Sequence, residues 1–404
     1  MKKYIALSLV LASLLSGCAT TQENKKSCKN DKYDVVAIVW PAYHPEPRWK
    51  DLGCYPDGNG EWQNVYEAKP KFVGHNQPIV PLWGYEHEDN SVAVARKIDA
   101  ALASGVNVFM YDWYWYEGKP FLEGALNNGF LKAPNNERMK FFLMWANHDV
   151  DHLWNNKVGG KKKTERQWSA DVSYDEFTKV LVPRFIEYFK KPNYYKVDGK
   201  PLFSLYLMNV FVRGMEKNPE LAKKALDYFR AEVKKAGFPD IELIANHVGL
   251  VLGRSYLKKE NSTMADVAKY FDIDGVFSYN AVFRKEDYSK WPDRAIKEYD
   301  RLKNGTGKVY YPVVSTGWDN NPRYPQNEFT EICKGKNPVV YEKHLRITRD
   351  WADANIPANK PKMIFINAWN EWTEGEYLEP DKTYGYEYLN ATARVFGSHG
   401  QAKQ

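Results

Sequence analysis

Long hydrophobic runs are nearly missing from this chain: after residue 17 no segment is apolar for long enough to cross a bilayer as a helix. Cysteine is scarce, four in 404 residues, and no CxxC or Cys/His spacing points to zinc. No GxGxxG-type turn follows an apolar run, and there is neither a phosphate-cradling glycine loop nor a GxSxG elbow. Those absences exclude the usual nucleotide-binding and serine-hydrolase readings. Charge of one sign is lacking too. The formal net charge of +6 is spread along the chain, and its densest basic run, "GGKKKTER" (159–166), reads as a solvated loop, so no nucleic acid is expected as a partner. No linker, low-complexity tract or internal repeat divides the sequence.

Aromatic residues are abundant, with 14 Trp and 28 Tyr. Many stand beside Asn, Asp, Glu or His, the mixture that stacks on sugar rings and hydrogen-bonds their hydroxyls. The chain opens with "MKKYIALSLVLASLLSGC", two lysines followed by an apolar run and small residues, as a secretion signal does. Ser16-Gly17-Cys18 after Leu14-Leu15 resembles a bacterial lipobox, which implies cleavage after residue 17 and a lipid on Cys18. Residues 18–32 are polar and read as a flexible tether. The expectation is a protein held on a bacterial membrane by its N-terminal lipid and acting outside the cytoplasm, on the periplasmic or surface side of the outer membrane. Cys28 and Cys54 form one conceivable disulfide there, leaving Cys333 over.

From residue 33 onward short apolar runs alternate with amphipathic stretches. Strands are expected at 35–40, 107–113, 141–147, 201–206, 241–246, 274–280, 309–316 and 362–369. They are apolar on both faces, as strands of a covered parallel sheet are. Helices are expected at 91–104, 174–189, 219–236, 264–270, 292–303, 339–355 and 386–396, with Ser91 as a capped start and Gly105 as a stop. One more short helix is expected within 114–140. Eight such alternations predict a single α/β domain over 33–398, a (β/α)8 TIM barrel with enlarged βα loops, working as a monomer.

The strand ends are polar and aromatic, and in a barrel they all open on one face, where active sites form. Tyr43 and His44 follow the first strand, Asp112, Trp113 and Tyr114 the second, and Trp145 and Asn147 the third. Then come Tyr206, Asn246 with His247, Tyr279, Trp318, and Asn370 with Trp372. All are candidate substrate-binding residues. The loop "NHDVDH" (147–152) has the residue types of a cation site but reads better as a sugar-binding loop held by its own hydrogen bonds. No metal and no cofactor is called for.

The last strand runs into "NAWNEWTEGEYLEP", where Glu371 and Glu374 are three residues apart. If the chain curls once the strand ends, as Gly375 permits, the two acids share a side, about 5–6 Å apart at their roots. Acids that close cannot both ionise freely, and glycosidic cleavage needs one protonated and one ionised carboxyl. "WPAYHPEPRW", "VFMYDWYW", "MWANHD" and "NAWNEWTEGEYLEPDKTYGYEYL" together resemble the WbsX-like set, related to glycoside hydrolase family 99, the endo-α-mannosidases and endo-α-mannanases. The resemblance implies a retaining (β/α)8 hydrolase whose Glu-Trp-x-Glu-Gly motif falls on Glu371, Trp372, Glu374 and Gly375. By that carry-over Glu371 is the base that deprotonates the sugar 2-hydroxyl, and Glu374 the acid that protonates the departing oxygen. The resemblance also implies that Tyr43, Trp113 and Tyr279 line the sugar-binding face. A polysaccharide or oligosaccharide is the expected substrate. The alternatives are a non-catalytic carbohydrate-binding lipoprotein and a transferase of glycan assembly.

Overall fold

The computed structural model describes residues 32–158, 165–257, 259–284 and 286–397. The leader, Cys18, the tether to residue 31 and Cys28 lie outside the described residues. Cys54 and Cys333 are buried free thiols.

Nine short strands make the barrel wall: β1 (Asp34–Val39), β2 (Val108–Tyr116), β3 (Lys140–Trp145), β4 (Lys200–Leu205), β5 (Glu242–Asn246), β6 (Gly275–Phe277), β7 (Val309–Tyr311), β8 (Val313–Ser315) and β9 (Met363–Asn367). Successive strands from β1 to β7 pair in parallel, as do β8 and β9, and β9 closes on β1. β7 and β8 are the single seventh strand expected at 309–316, split at Pro312. Proline has no N–H for the ladder, so Val309 pairs with Gly275 on one side and Val313 with Phe365 on the other. Phe142 and Phe277 both meet Phe365 across the lumen, the Phe277–Phe365 ring centroids 4.8 Å apart. The barrel floor is therefore packed core rather than a channel.

Every residue of β2 is buried, because the strand lies between the lumen and a helical layer. Its period of two sorts the candidates. Trp113 packs on Phe185, 4.9 Å between centroids, and donates its Nε1–H to Glu123 on the helical side. Asp112 and Tyr114 face the lumen, Tyr114 edge-on to Trp40.

The helices α1 (Ser91–Ser104), α2 (Val182–Phe189), α3 (Pro219–Lys235), α4 (Met264–Tyr270), α5 (Trp291–Thr306), α6 (Pro338–Asn355) and α7 (Glu387–Phe396) surround the wall. The cap of α1 is Asn90, not Ser91: its side chain accepts from the Val92 and Ala93 N–H groups. Gly105 ends α1 at φ 91°. Ahead of α2 the turn Phe177–Leu181 widens to π spacing, where Pro183 removes an i→i−4 bond. Two short helices not anticipated, Met208–Gly214 and His247–Gly253, begin just past β4 and β5. No helix among the described residues is long and apolar enough to cross a membrane.

Candidate active site

Past β9 the chain hooks back under the barrel mouth. The Trp369 N–H donates to Ile38 O at 2.7 Å, and Asn370–Glu371 pairs antiparallel with Glu376–Tyr377. Between them lies the tight turn Trp372–Glu374, ended by Gly375 at φ 68°. A Cβ on Gly375 would stand 2.9 Å from Asp319 N, which itself donates to Glu374 O at 2.7 Å. Both the backbone angle and the space demand glycine. Gly375→Ala should lose about 1–3 kcal/mol of stability in urea unfolding, from backbone strain and crowding together. An unchanged midpoint would mean that the turn relaxes freely.

This turn brings Glu371 and Glu374 to the same side, and the hairpin adds Glu376. One oxygen of each lies within 4.8 Å of the others. Glu371 is 4 % and Glu374 8 % exposed, and Glu376 is fully buried. Solvated loop charges would look different.

Arg323 enters this cluster from the loop after β8. Its Nη1 binds Glu374 Oε1 at 2.5 Å, and its Nη2 is 3.6 Å from Glu371 Oε1. The other edge of the guanidinium is held by Glu61, with Nε to Oε1 at 2.7 Å. Glu61 also takes the Trp40 indole N–H, and the guanidinium lies over the Trp40 ring. On the opposite side the Tyr279 hydroxyl is 2.8 Å from Asp112 Oδ2 and 3.2 Å from Glu371 Oε2. A phenol has one hydrogen to give. Two carboxyl oxygens can satisfy it together only if one of those acids carries its own proton.

The electrostatics agree. Burial, then the charge of Glu374, holds the Glu371 carboxyl well above the usual range, with Arg323 opposing. Asp112 is raised by burial against the Tyr279 hydrogen bond, and Glu376 by burial and by Glu374. Burial works against the charge of Arg323, but Glu61 and Glu374 outweigh it and keep the guanidinium cationic. The three glutamates have the spacing of a cation cage. Glu371 and Glu376, driven toward their neutral forms beside a fixed guanidinium, are poor cation ligands, and the set suits proton transfer better.

A second buried network braces the turn from below. Lys97 on α1 bridges Glu88 at 2.9 Å and Glu379 at 2.6 Å. Asn370 donates to Glu88 and clamps the Trp40 backbone N–H and C=O, while the Trp372 indole donates to Glu379 at 3.0 Å. Burial, opposed by Lys97, pushes Glu88 up to about 7. The residues on either side of Glu371 are thus fixed from beneath, and Asn370 and Trp372 are supports rather than a sugar-facing surface.

Of the other candidates, Asp112, Tyr114, Tyr206 and Tyr279 gather near the two acids, with Tyr206 edge-on to Tyr279 at 5.6 Å. Tyr43 is fully buried, tilted against Trp62 with ring centroids 4.2 Å apart, and accepts the Thr373 N–H, so it braces the turn instead of lining an open face. Trp145 stacks on Phe177 in the helical layer, where Trp113 meets Phe185 edge to face. Asn147 is spent on both backbone groups of Leu207, and Asp149 of the same loop is paired with Arg213. His247 bonds Ser278, and burial pulls it down to about 4. His44 lies against Gly124, likewise lowered to about 4 by burial. Asn246 ends β5, buried with both side-chain polar atoms unbonded, and Trp318 lies under the guanidinium of Arg284. Glu61, inside "GNGEW", has no sequence signal of its own. Glu376 lies inside the last motif, and Arg323 lies in the rim loop 315–325, where the sequence suggests no more than a subsite wall; nothing in the spacing says that they converge.

The fold is thus a parallel barrel with paired acids at the mouth of its last strand. The model of the Glycosyltransferase WbsX family matches residues 35–392, and the chain belongs to that family. It is 27 % identical over 373 residues to the uncharacterized protein WxcX of two strains of Xanthomonas campestris pv. campestris, the match covering 89 % of this chain and 49 % of that protein. The chain therefore spans about half the length of the curated relatives it matches. Among solved structures it is similar to a glycoside hydrolase-like protein, with TM-score 0.58 and 14 % identity over 91 % of this chain and 95 % of that one. It is also similar to the family 99 endo-α-mannosidase from Bacteroides thetaiotaomicron, with TM-score 0.51 and 14 % identity over 90 % and 95 %. At such identities the likeness establishes the barrel.

Proposed function

We propose that the chain is a retaining, endo-acting glycoside hydrolase of a polysaccharide or oligosaccharide, with Glu371 and Glu374 as its acid/base pair. The observation that carries this reading is the pair itself: two buried carboxyls on one turn at the barrel mouth, with a tyrosine–aspartate couple on one side and a guanidinium on the other. In the proposed reaction Glu371 accepts the 2-hydroxyl proton as that oxygen attacks C1. Glu374 gives its proton to the departing oxygen, and a 1,2-anhydro sugar forms. Water then opens the ring at C1, passing a proton to Glu374 while Glu371 returns one to O2. Two inversions at C1 leave the configuration unchanged, and no carboxylate needs to reach the anomeric carbon, unlike the usual retaining geometry. The lipobox-like N-terminus supports an anchored, extracytoplasmic hydrolase, where activated nucleotide sugars are not at hand.

The family's name favours a second reading, a glycosyltransferase. Incubation with a panel of bacterial, fungal and plant polysaccharides, without any nucleotide sugar, separates them. New reducing ends are expected. An elongated glycan formed only when a nucleotide sugar is added would establish transfer, and binding without either product would leave a carbohydrate-binding protein. On a cleaved substrate, the 2-deoxy analogue should bind but react at no measurable rate. Its turnover would remove the 2-oxygen as nucleophile.

A further inference from the structure

The roles just described need Glu371 ionised and Glu374 protonated when the sugar reacts. The resting geometry is the reverse. Arg323 Nη1 contacts Glu374 at 2.5 Å, whereas the guanidinium is 3.6 Å from Glu371. The Tyr279 hydroxyl is nearer Asp112, at 2.8 Å, than Glu371, at 3.2 Å; with its one hydrogen given to Asp112, Glu371 is the acid left to carry a proton and donate to the phenol oxygen. Glu61 holds Arg323 in this position by two bonds, from Nε at 2.7 Å and Nη2 at 3.2 Å, and Glu61 itself is fully buried. The guanidinium cannot swing to Glu371 without breaking them.

We propose that Arg323, fixed by Glu61, is the positioning residue that decides which member of the pair keeps the proton: Glu374 rests as the carboxylate and Glu371 as the acid. This inference deepens the hydrolase reading and rests on it for its catalytic consequence. A docking sugar then has to trigger one transfer. The Glu371 hydroxyl gives its proton and the Glu374 carboxylate takes it, leaving Glu371 anionic and Glu374 neutral with no change in total charge. One oxygen of each carboxyl lies within 4.8 Å of the other, a gap that one bridging hydroxyl spans. Arg323 thereby keeps the enzyme in the non-reacting protonation state until substrate fills the gap.

The groups that face Arg323 are Glu61, Glu371 and Glu374 in direct contact, with Trp40 beneath it. Its charge also reaches Tyr43, Tyr55 and the buried His148. Asp112 and Glu376 act on the pair from the other sides.

The test has two arms. Carbon-13 titration of glutamate carboxyls, assigned with single Gln variants, reads the resting state without any need for turnover. Glu374 should be ionised at neutral pH and Glu371 protonated, and the opposite order would overturn the proposal even if the protein is a hydrolase. The second arm is the acidic limb of the kcat/KM profile on a cleaved substrate, which reports ionisation of the pair in the free enzyme. Arg323→Gln removes a cation, so carboxyl ionisation becomes harder and the limb should move up by about one pH unit or more. Arg323→Lys keeps the charge and should restore most of the shift. Glu61→Gln removes a competing anion, so the limb should move down. Equal losses of kcat in all three variants with an unmoved limb would reduce Arg323 to a structural strut. Should Arg323→Gln fail to fold, the Lys and Glu61→Gln variants still decide the sign.

Discussion

Glu374→Gln is expected to lower kcat by about 10²–10⁴-fold, the usual contribution of a positioned acid/base group, while affinity for the oligosaccharide changes only a few-fold. Gln keeps the shape of the side chain and the oxygen that Arg323 contacts, so the groove is preserved while the transferable proton is lost. Glu371→Gln should stop turnover to a similar extent, but the two variants should differ in stability. Glu371 is driven toward its neutral form, which Gln imitates, so its urea midpoint should stay near wild type. Glu374 is bound to a buried guanidinium, and the neutral amide surrenders that charge-assisted contact, about 1.5–3 kcal/mol for a bond to a charged group. Kinetics, calorimetric binding and urea unfolding of the two variants together check this. Retained turnover in either would remove that residue from the chemistry, and loss of binding along with folding would make it structural.

Lys97→Met should be the most damaging change outside the reacting groups, at about 3–5 kcal/mol, the cost of breaking a buried ion pair from one side. Lys97 is buried and bonded to both Glu88 and Glu379. Without the ammonium, two acids face each other away from water, and one must take up a proton on folding. Because Asn370 and Trp372 lean on these same acids, activity should fall with stability even though Lys97 touches no reacting atom. Urea unfolding reads the first effect and kcat at low temperature, well inside the folded range, the second. A loss under 1 kcal/mol would mean that Glu88, already pushed up to about 7, simply stays protonated beside Glu379.

The barrel was legible because its strands are buried on both sides and its helices are not, so two periods alternate along the chain. Helices 91–104 and 264–270 begin and end where expected. The split at Pro312 was not foreseen, since one apolar run spans it and only the pairing partners reveal that its halves serve different neighbours. Glu371 and Glu374 could be expected on one side because a turn of three residues and a glycine are local facts. Glu61 and Arg323 could not, as they meet across 262 residues of sequence and their contact depends on barrel closure. Aromatics at strand ends proved ambiguous for a physical reason. Residues one apart on a strand face opposite layers, so Asp112 reaches the lumen while Trp113 enters the helical coat. A list of strand-end residues cannot say which is which until the register is known.

The place of β9, zipped between β8 and the very first strand, has a consequence for how activity arises in time. A growing chain emerges from the ribosome with eight of its nine wall strands before the two acids exist, and those acids gain their setting only when the final strand inserts beside β1. Glu61 and Arg323 both precede β9 in the chain, so the clamp is already synthesised when the acids that it will face arrive. Any fragment that stops short of β9 lacks both acids however much of the barrel it contains, and on the proposed reading it is inert.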